Sequence, residues 1–133
     1  MGIQKTHNES WEDYLEAILR ITQRQGYCRS VDIANQLEVS KPSVSVAMNN
    51  LRQAGLIDVA GDKRIELTER GYEIAERVFT RHKFFREKLI QVGVDPETAE
   101  REACVLEHAI SDDSFEKICA YLRSCEYDAS KHA

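Results

Sequence analysis

The sequence has no apolar run near the roughly 18 residues that a membrane-spanning helix needs, and its polar start, Met1–Ser10, does not resemble a signal peptide. It has few cysteines (Cys28, Cys104, Cys119 and Cys125), and no two of them form a C-x-x-C pair. Basic side chains are outnumbered by acidic ones: the sequence has 18 Lys and Arg against 23 Asp and Glu, which gives a formal net charge of −5. These absences argue against a transporter, a secreted disulfide scaffold and a protein that binds nucleic acid through a basic surface alone.

What the sequence does contain is enough apolar residues for a core. Its 133 residues are 42% hydrophobic and 31% charged, which fits one domain, or one small domain with a short appendage, and argues against disorder. With no sign of export, we expect reduced thiols, a cytoplasmic location and no membrane partner.

The first half of the sequence alternates between helical and strand-like patterns. Trp11, Tyr14, Leu15 and Ile18 recur at spacings of three and four, which predicts an amphipathic helix. The expected elements are helices over roughly 11–24, 30–37 and 41–53, the last capped by Ser40 with Pro42 in its first turn, and then strands at 56–59 and 64–67 around a turn at 60–63.

The second half has helical periodicity only. Helices are expected from Glu69 to Gln91, from Asp95-Pro96 to about Ile110, and over roughly 112–125 before a polar tail. The whole pattern predicts a mainly α fold in two parts, a mixed part over 1–75 that contains the strands and a helical part over 76–133.

The order helix, short helix, tight turn, helix, β-hairpin is that of a winged helix-turn-helix. Such a turn presents the second helix for insertion into the major groove of DNA, and the hairpin (the wing) reaches the backbone or the minor groove. The alternatives are a winged helix that contacts protein, or a solvated helix face. The candidate DNA-binding residues are Ser40, Lys41, Pro42, Ser43, Ser45, Asn49 and Asn50 on the third helix, with Lys63 and Arg64 at the wing tip.

Side chains that could bind a metal lie in three separate segments. Asp13 and Glu16 share a face of the first helix, and His82 lies within the fourth. Cys104 precedes Glu107 and His108 by three and four residues, so these three also share a helix face. Solvated carboxylates, a structural histidine and a buried thiol are the alternatives, since spacing alone does not bring the three segments together.

Five motifs follow one another along the chain: Glu12-Asp13-Tyr14-Leu15-Glu16, Ser40-Lys41-Pro42-Ser43-Val44-Ser45, Leu67-Thr68-Glu69-Arg70-Gly71, Arg81-His82, and Cys104-Val105-Leu106-Glu107-His108 followed by Ser111. In their order and separations they resemble the DtxR/MntR metalloregulators, repressors that bind DNA when loaded with iron(II) or manganese(II). The resemblance covers about residues 9–125.

The resemblance implies a metal site that mixes the manganese and iron branches of the family. Asp13 and Glu16 match the carboxylates of the manganese branch, whereas Cys104 matches the iron branch. The remaining implied ligands are His82, Glu107 and His108. One thiolate softens a carboxylate and imidazole site, so we expect Fe(II), with Mn(II) as its competitor, and a thiol that can be oxidised.

A second, ancillary site is implied only in part. In the iron branch it uses the position of His82, a Glu at the position of Arg86, and a His at the position of Glu100. Because an arginine does not bind a metal, we expect one complete site per chain and leave a second one open.

The resemblance also implies that residues 1–75 form the DNA-binding domain and that residues 76–133 form an α-helical metal-binding and dimerisation domain. The homodimer would bind an inverted-repeat operator. The apolar side chains expected either to pair two chains or to form an internal core are Phe84, Phe85, Leu89, Ile90, Val105, Leu106, Ile110, Phe115, Ile118 and Leu122. Too little chain follows Cys125 for the SH3-like domain of longer family members, so we expect the short form.

Two other classes of function compete with a metal-dependent repressor. One is a winged-helix regulator that senses an oxidant or an organic ligand, with Cys104 as the sensing thiol. The other is a metal-dependent hydrolase that uses the carboxylates and His108. The sequence supplies no nucleophile or substrate pocket for the hydrolase, so we expect no enzyme.

Overall fold

The computed structural model describes residues 7–131, with side chains over residues 10–125. The chain divides into two compact units, Met1–Thr80 and Arg81–Ala133, called the first and the second unit below. The division falls within the fourth helix. The elements are α1 His7–Gln25, α2 Ser30–Leu37, α3 Lys41–Gln53, β1 Ile57–Val59, β2 Ile65–Leu67, α4 Glu69–Gln91, α5 Pro96–Ala109 and α6 Asp112–Lys131. None of the helices in the described part of the chain is long and apolar enough to cross a membrane.

The mainly α fold with a small hairpin is confirmed. Helices α2, α3, α4 and α5 begin and end within a residue of the expected positions. The polar tail predicted after residue 125 is wrong over residues 126–131, where α6 continues. This stretch contains no Pro or Gly and includes the helix formers Glu126 and Ala129, so nothing in it ends a helix.

The tight turn between α2 and α3 is stabilised by local capping. Glu38 adopts the left-handed conformation (φ 55°) at the end of α2. Ser40 is the N-cap of α3, as predicted, and its Oγ accepts a hydrogen bond from the backbone N–H of Ser43 at 3.2 Å. Pro42 lies in the first turn of α3, where a missing N–H costs no helical hydrogen bond.

The core of the first unit lies between α1, the helix-turn-helix and the hairpin. Its fully buried side chains include Ile18 of α1, Ile33 of α2 and Ile57 of β1. Val44 and Leu51 of α3 are also fully buried. Burial of this face of α3 leaves its opposite face exposed to solvent.

The hairpin is antiparallel, with Ile57 opposite Leu67 and Val59 opposite Ile65. The predicted turn is confirmed: the backbone N–H of Lys63 donates to the carbonyl of Ala60 at 2.9 Å. The left-handed residue of this turn is Lys63 (φ 67°), although Gly61 lies two residues before it. Lys63 therefore holds a backbone conformation that a side chain normally disfavours.

The second unit has few buried apolar side chains. Among its described residues only Ala99 and Ala103 are fully buried and apolar. The rings of Phe84 and Phe115 pack edge to face with centroids 5.2 Å apart, and Phe85 lies against both, yet each ring is still partly exposed. The apolar residues predicted for chain pairing or an internal core are all half-buried or exposed. Packing within one chain therefore does not bury them fully.

Gly71, at the start of α4, has no room for a side chain. A Cβ built at this position would lie 2.0 Å from the backbone carbonyl oxygen of Leu56. Thr68 fixes the same junction, because its hydroxyl donates to the carbonyl of Gly55 at 2.8 Å and accepts from the N–H of Gly71 at 3.2 Å. The sequence Leu67-Thr68-Glu69-Arg70-Gly71 is thus the contact by which α4 docks against the segment that precedes β1.

We predict that Gly71→Ala lowers the free energy of unfolding by about 1–3 kcal/mol, because backbone must move to admit one methyl group. Urea unfolding followed by circular dichroism measures this change. Gly61→Ala is the matched control: nothing lies within 4 Å of its Cβ position, and a change within about 0.5 kcal/mol is expected there. Equal effects of the two variants would contradict this account of Gly71.

Candidate metal centre and nucleic-acid interface

The second unit brings together most of the predicted metal ligands. Glu100, Cys104, Glu107 and His108 follow one another at intervals of four, three and one along α5, so they share one face of that helix. His82 projects from α4. The following paragraphs call these side chains the α4–α5 cluster.

The imidazole of His82 lies at the centre of the α4–α5 cluster. Its Nδ1 atom is 2.9 Å from Glu107 Oε2 and 3.7 Å from Cys104 Sγ. Its Nε2 atom is 3.0 Å from Glu100 Oε1. Ligand atoms of His82, Glu100 and Cys104 lie within 4.8 Å of one another, close enough to share one cation.

Glu107 is a buried carboxylate between two imidazoles. Its second oxygen, Oε1, is 3.2 Å from His108 Nε2. The side chains of Glu107, His82 and His108 are 1%, 2% and 5% exposed. A carboxylate removed from water in this way needs a compensating positive charge, which a proton on an imidazole or a bound cation would supply.

The electrostatics of the α4–α5 cluster favour positive charge. Burial lowers the pKa of His82, but hydrogen bonds that its imidazole donates to Cys104 and Glu107, with the negative charge of these groups, outweigh this effect and raise the pKa to about 10. The groups that hold a proton on His82 would also attract a metal cation. Imidazole, carboxylate and thiol are the donor types that bind divalent transition metals, so the residues present fit such an ion.

The cysteines differ strongly in their surroundings. Cys28 is fully buried in the first unit, and burial raises the pKa of its thiol to about 12. Cys104 is exposed, so the alternative of a buried structural thiol is wrong for this residue. It lies on a helix face shared with carboxylates and imidazoles, whereas an inert core thiol is surrounded by apolar side chains.

Glu100 also contacts a cation of the chain itself. Its Oε2 atom is 3.0 Å from Nε of Arg86, which lies on α4 one turn after His82. The carboxylate therefore bridges an imidazole and a guanidinium. The resemblance places both positions in one ancillary site, but it did not predict an ion pair between them.

Arg81 joins α4 to the end of α5, a role that sequence reasoning missed. Its guanidinium donates to the carbonyls of Glu107 at 3.4 Å and Ile110 at 2.6 Å, and pairs with Asp112. The same group lies 5.3 Å from the ring centroid of Phe115. Arg81 is buried, and both of its Nη atoms have partners, whereas Nε has none among the described residues. Its position beside His82 was the available signal.

The other predicted ligands belong to the first unit. Asp13 is half-buried and Glu16 is buried, one helical turn apart on α1. Arg20 lies one further turn along α1, and its Nη1 is 3.4 Å from Glu16 Oε1. The α1 carboxylates are thus less exposed than those of a solvated helix face.

The predicted DNA-binding residues of α3 lie on its solvent face. Asn49 is exposed, and its side-chain oxygen accepts a hydrogen bond from Arg52 at 3.3 Å; Asn50 is half-buried. Val46 is 63% exposed at the centre of this face and was missed by a search for polar residues. The other candidates, Ser40, Lys41, Pro42, Ser43 and Ser45, are all exposed.

The wing carries the predicted basic residues, but its charge is partly neutralised. Lys63 is exposed, whereas Arg64 forms an ion pair with Asp62 at 3.0 Å. The guanidiniums of Arg64 and Arg29 lie 5.1 and 5.4 Å from the ring centroid of Tyr27. Sequence reasoning missed Tyr27 and Arg29, because the α1–α2 loop and the hairpin are far apart in the sequence.

The hairpin is also joined to the α1–α2 loop through the backbone. The N–H of Ile65 in β2 donates a hydrogen bond of 2.7 Å to the carbonyl of Cys28. Cys28 itself is fully buried, so the acceptor is held by the core of the first unit. The wing therefore has an aromatic and a backbone contact with the segment that precedes α2.

Comparisons with known proteins agree over almost the whole chain. The N-terminal DNA binding domain of the iron dependent repressors matches residues 7–65, and their metal binding and dimerisation domain matches residues 68–132. Transcriptional regulator MntR of Escherichia coli is 32% identical over 115 residues, which are 86% of this chain and 74% of that protein. Iron-dependent repressor IdeR of Mycobacterium tuberculosis is 34% identical over 106 residues, 79% of this chain and 46% of that protein.

Solved structures of longer proteins have the same fold. A manganese-dependent transcriptional repressor in complex with manganese matches with a TM-score of 0.75 and 30% identity, over 84% of this chain and 52% of that chain. The manganese regulator SloR matches with a TM-score of 0.75 and 27% identity, over 85% of this chain and 53% of that chain. The present chain thus spans about half the length of these structures.

We predict that Arg81→Lys lowers the free energy of unfolding by roughly 1–3 kcal/mol, because an ammonium cannot reproduce the forked contacts and leaves a buried carbonyl unsatisfied. Thermal unfolding measures the loss. Arg101→Lys is the matched control, since Arg101 is exposed and bonds only weakly, at 3.4 Å, to Thr98. A destabilisation no larger than that of the control would show that Arg81 does not stabilise the end of α5.

Proposed function

The chain belongs to the iron-dependent repressor family of metal-dependent, DNA-binding transcriptional regulators, and on this premise we propose that Fe(II) is its activating ion, with Mn(II) as the competitor. The observation that carries the proposal is the composition of the α4–α5 cluster. A thiol accompanies carboxylates and imidazoles there, and a thiolate shifts preference from Mn(II) towards softer ions such as Fe(II). A relative is named for iron and two solved structures are named for manganese, so either metal is a candidate for this chain.

The ligands that we assign to this ion come from both units. Cys104, Glu107 and His108 of α5 would hold it together with Asp13 and Glu16 of α1, as the resemblance to the family implies. His82 would orient Glu107, with which it already shares a hydrogen bond of 2.9 Å. When bound, the ion would link the first unit to the second.

Such a link would raise the affinity for DNA by reducing the conformational freedom of the first unit. Without the link, the first unit would sample several positions and would lose that entropy on binding an operator. A coupling of this kind is typically ~1–3 kcal/mol, or about 5–150-fold in affinity. The expected target is double-stranded DNA, contacted by the exposed face of α3 and by the wing.

We propose that two chains form the active unit. The apolar side chains that the sequence predicts for chain pairing are half-buried or exposed in one chain, and Val105 is 56% exposed. A two-fold dimer would bury them and would present two copies of α3 to an inverted-repeat operator. We place this regulator in the cytoplasm, with the DNA that it binds, and assign no catalytic activity to it.

The metal dependence of operator binding tests the proposal. We predict that Fe(II), added anaerobically, raises the affinity for operator DNA by about 5–150-fold, that Mn(II) does so more weakly, and that a chelator reverses both effects. The measurement is fluorescence anisotropy of a labelled operator, which is first selected from random DNA in the presence of metal.

In the same assay His108→Ala should remove the metal-dependent rise while leaving the circular dichroism spectrum unchanged. Glu102→Ala, at an exposed position of the same helix, is the matched control and should keep the rise. If His108→Ala still bound the operator tightly and only with metal, the ligand assignment would be wrong.

Alkylation of the cysteines tests the role of Cys104 separately. We predict that iodoacetamide modifies Cys104 in the metal-free protein and that Fe(II) slows this reaction by at least about tenfold, because a metal-bound thiolate is no longer free to react. Mass spectrometry of tryptic peptides measures the rate at each cysteine.

Two other cysteines are internal controls in that experiment. Cys125 is exposed and lies outside the α4–α5 cluster, so its rate should not depend on metal. Cys28 should react only after denaturation, because burial raises its pKa to about 12. Equal protection of Cys104 and Cys125 by metal would argue against a Cys104 ligand.

A further inference from the structure

The contact between Arg86 and Glu100 places a fixed positive charge inside a potential cation site. Glu100 Oε1 is 3.0 Å from His82 Nε2, and Glu100 Oε2 is 3.0 Å from Arg86 Nε. The ligand atoms of His82, Glu100 and Cys104 lie within 4.8 Å of one another. Arg86 thus contacts the one carboxylate of a group that could otherwise bind a divalent ion of its own.

The guanidinium differs from a metal ligand in two ways. It has no lone pair to donate, and it remains protonated throughout the physiological pH range. A divalent ion beside Glu100 would therefore either face a like charge or have to displace Arg86 from the carboxylate.

We propose that Arg86 is a built-in substitute for a second metal ion: its guanidinium neutralises Glu100, so that each chain binds a single activating ion. This inference rests on the proposed function, since it concerns the number of ions in a metal-dependent regulator. Glu100 then serves to fix the Nε2 side of His82, and the Nδ1 side of that ring remains directed at Glu107 and Cys104.

The ion pair between Arg86 and Glu100 lies near the surface, so its residues can be replaced at little cost in stability. The side chains of Arg86 and Glu100 are 45% and 39% exposed, so their ion pair adds little to stability. Removing Arg86 should therefore leave the fold intact. The removal of Arg86 should instead change the binding of cations, because it alters the electrostatic field at Glu100 directly.

The number of bound ions tests the inference without any measurement of DNA binding. Equilibrium dialysis against Mn(II), with bound metal counted by elemental analysis and free Mn(II) by electron paramagnetic resonance, should give one ion per wild-type chain. Arg86→Glu should bind two, with the second at least about tenfold tighter than any second ion in the wild type. Arg86→Gln should give an intermediate affinity for the second ion, since it removes the cation without adding a ligand.

Arg101→Glu is the matched control, because it makes the same charge change at an exposed position of α5 where Arg101 contacts Thr98. It should bind one ion. Two ions in the wild type, or one ion in both Arg86 variants when circular dichroism shows them folded, would overturn the inference. An absence of binding in every variant, the wild type included, would instead overturn the proposed metal-dependent function.

Discussion

The hydrogen bond between His82 and Glu107 is the interaction on which the α4–α5 cluster depends. It joins two side chains that are almost fully buried, and neither could remain there alone without a large desolvation cost. The pair fixes the ring orientation of His82, and this in turn determines which nitrogen faces Cys104 and which faces Glu100. The ligand geometry of the second unit thus follows from one buried contact between two helices.

A buried polar contact of this kind requires that the two helices keep their relative position. Arg81 meets that requirement, because it is next to His82 and donates to the carbonyls of Glu107 in α5 and of Ile110 just after it. Apolar packing contributes less in this unit, where only Ala99 and Ala103 are fully buried and apolar among the described residues. Polar contacts therefore fix the relative position of α4 and α5 within a chain, and the exposed apolar faces remain available to a second chain.

Most of the fold was predictable because its signals are local. Ser40 caps α3 and α5 begins at Asp95-Pro96, both as expected, since an N-cap and the proline after it lie within a few residues of each other. The role of Gly71 was not predictable, because the carbonyl of Leu56, which excludes a side chain there, is distant from Gly71 in the sequence. For the same reason the ligand types at positions 82, 104, 107 and 108 were readable as spacing, whereas the Arg86–Glu100 contact and the exposure of Cys104 required the packed structure.

The contacts of the hairpin with the α1–α2 loop have a consequence for how the wing meets its target. Tyr27 lies between two guanidiniums, one from the loop and one from the wing, and the backbone of Ile65 is bonded to that of Cys28. The wing is therefore preorganised rather than a free arm that searches for a groove. Less conformational entropy is therefore lost when the wing contacts DNA. A small number of basic side chains can then suffice for binding, even in a chain of net negative charge.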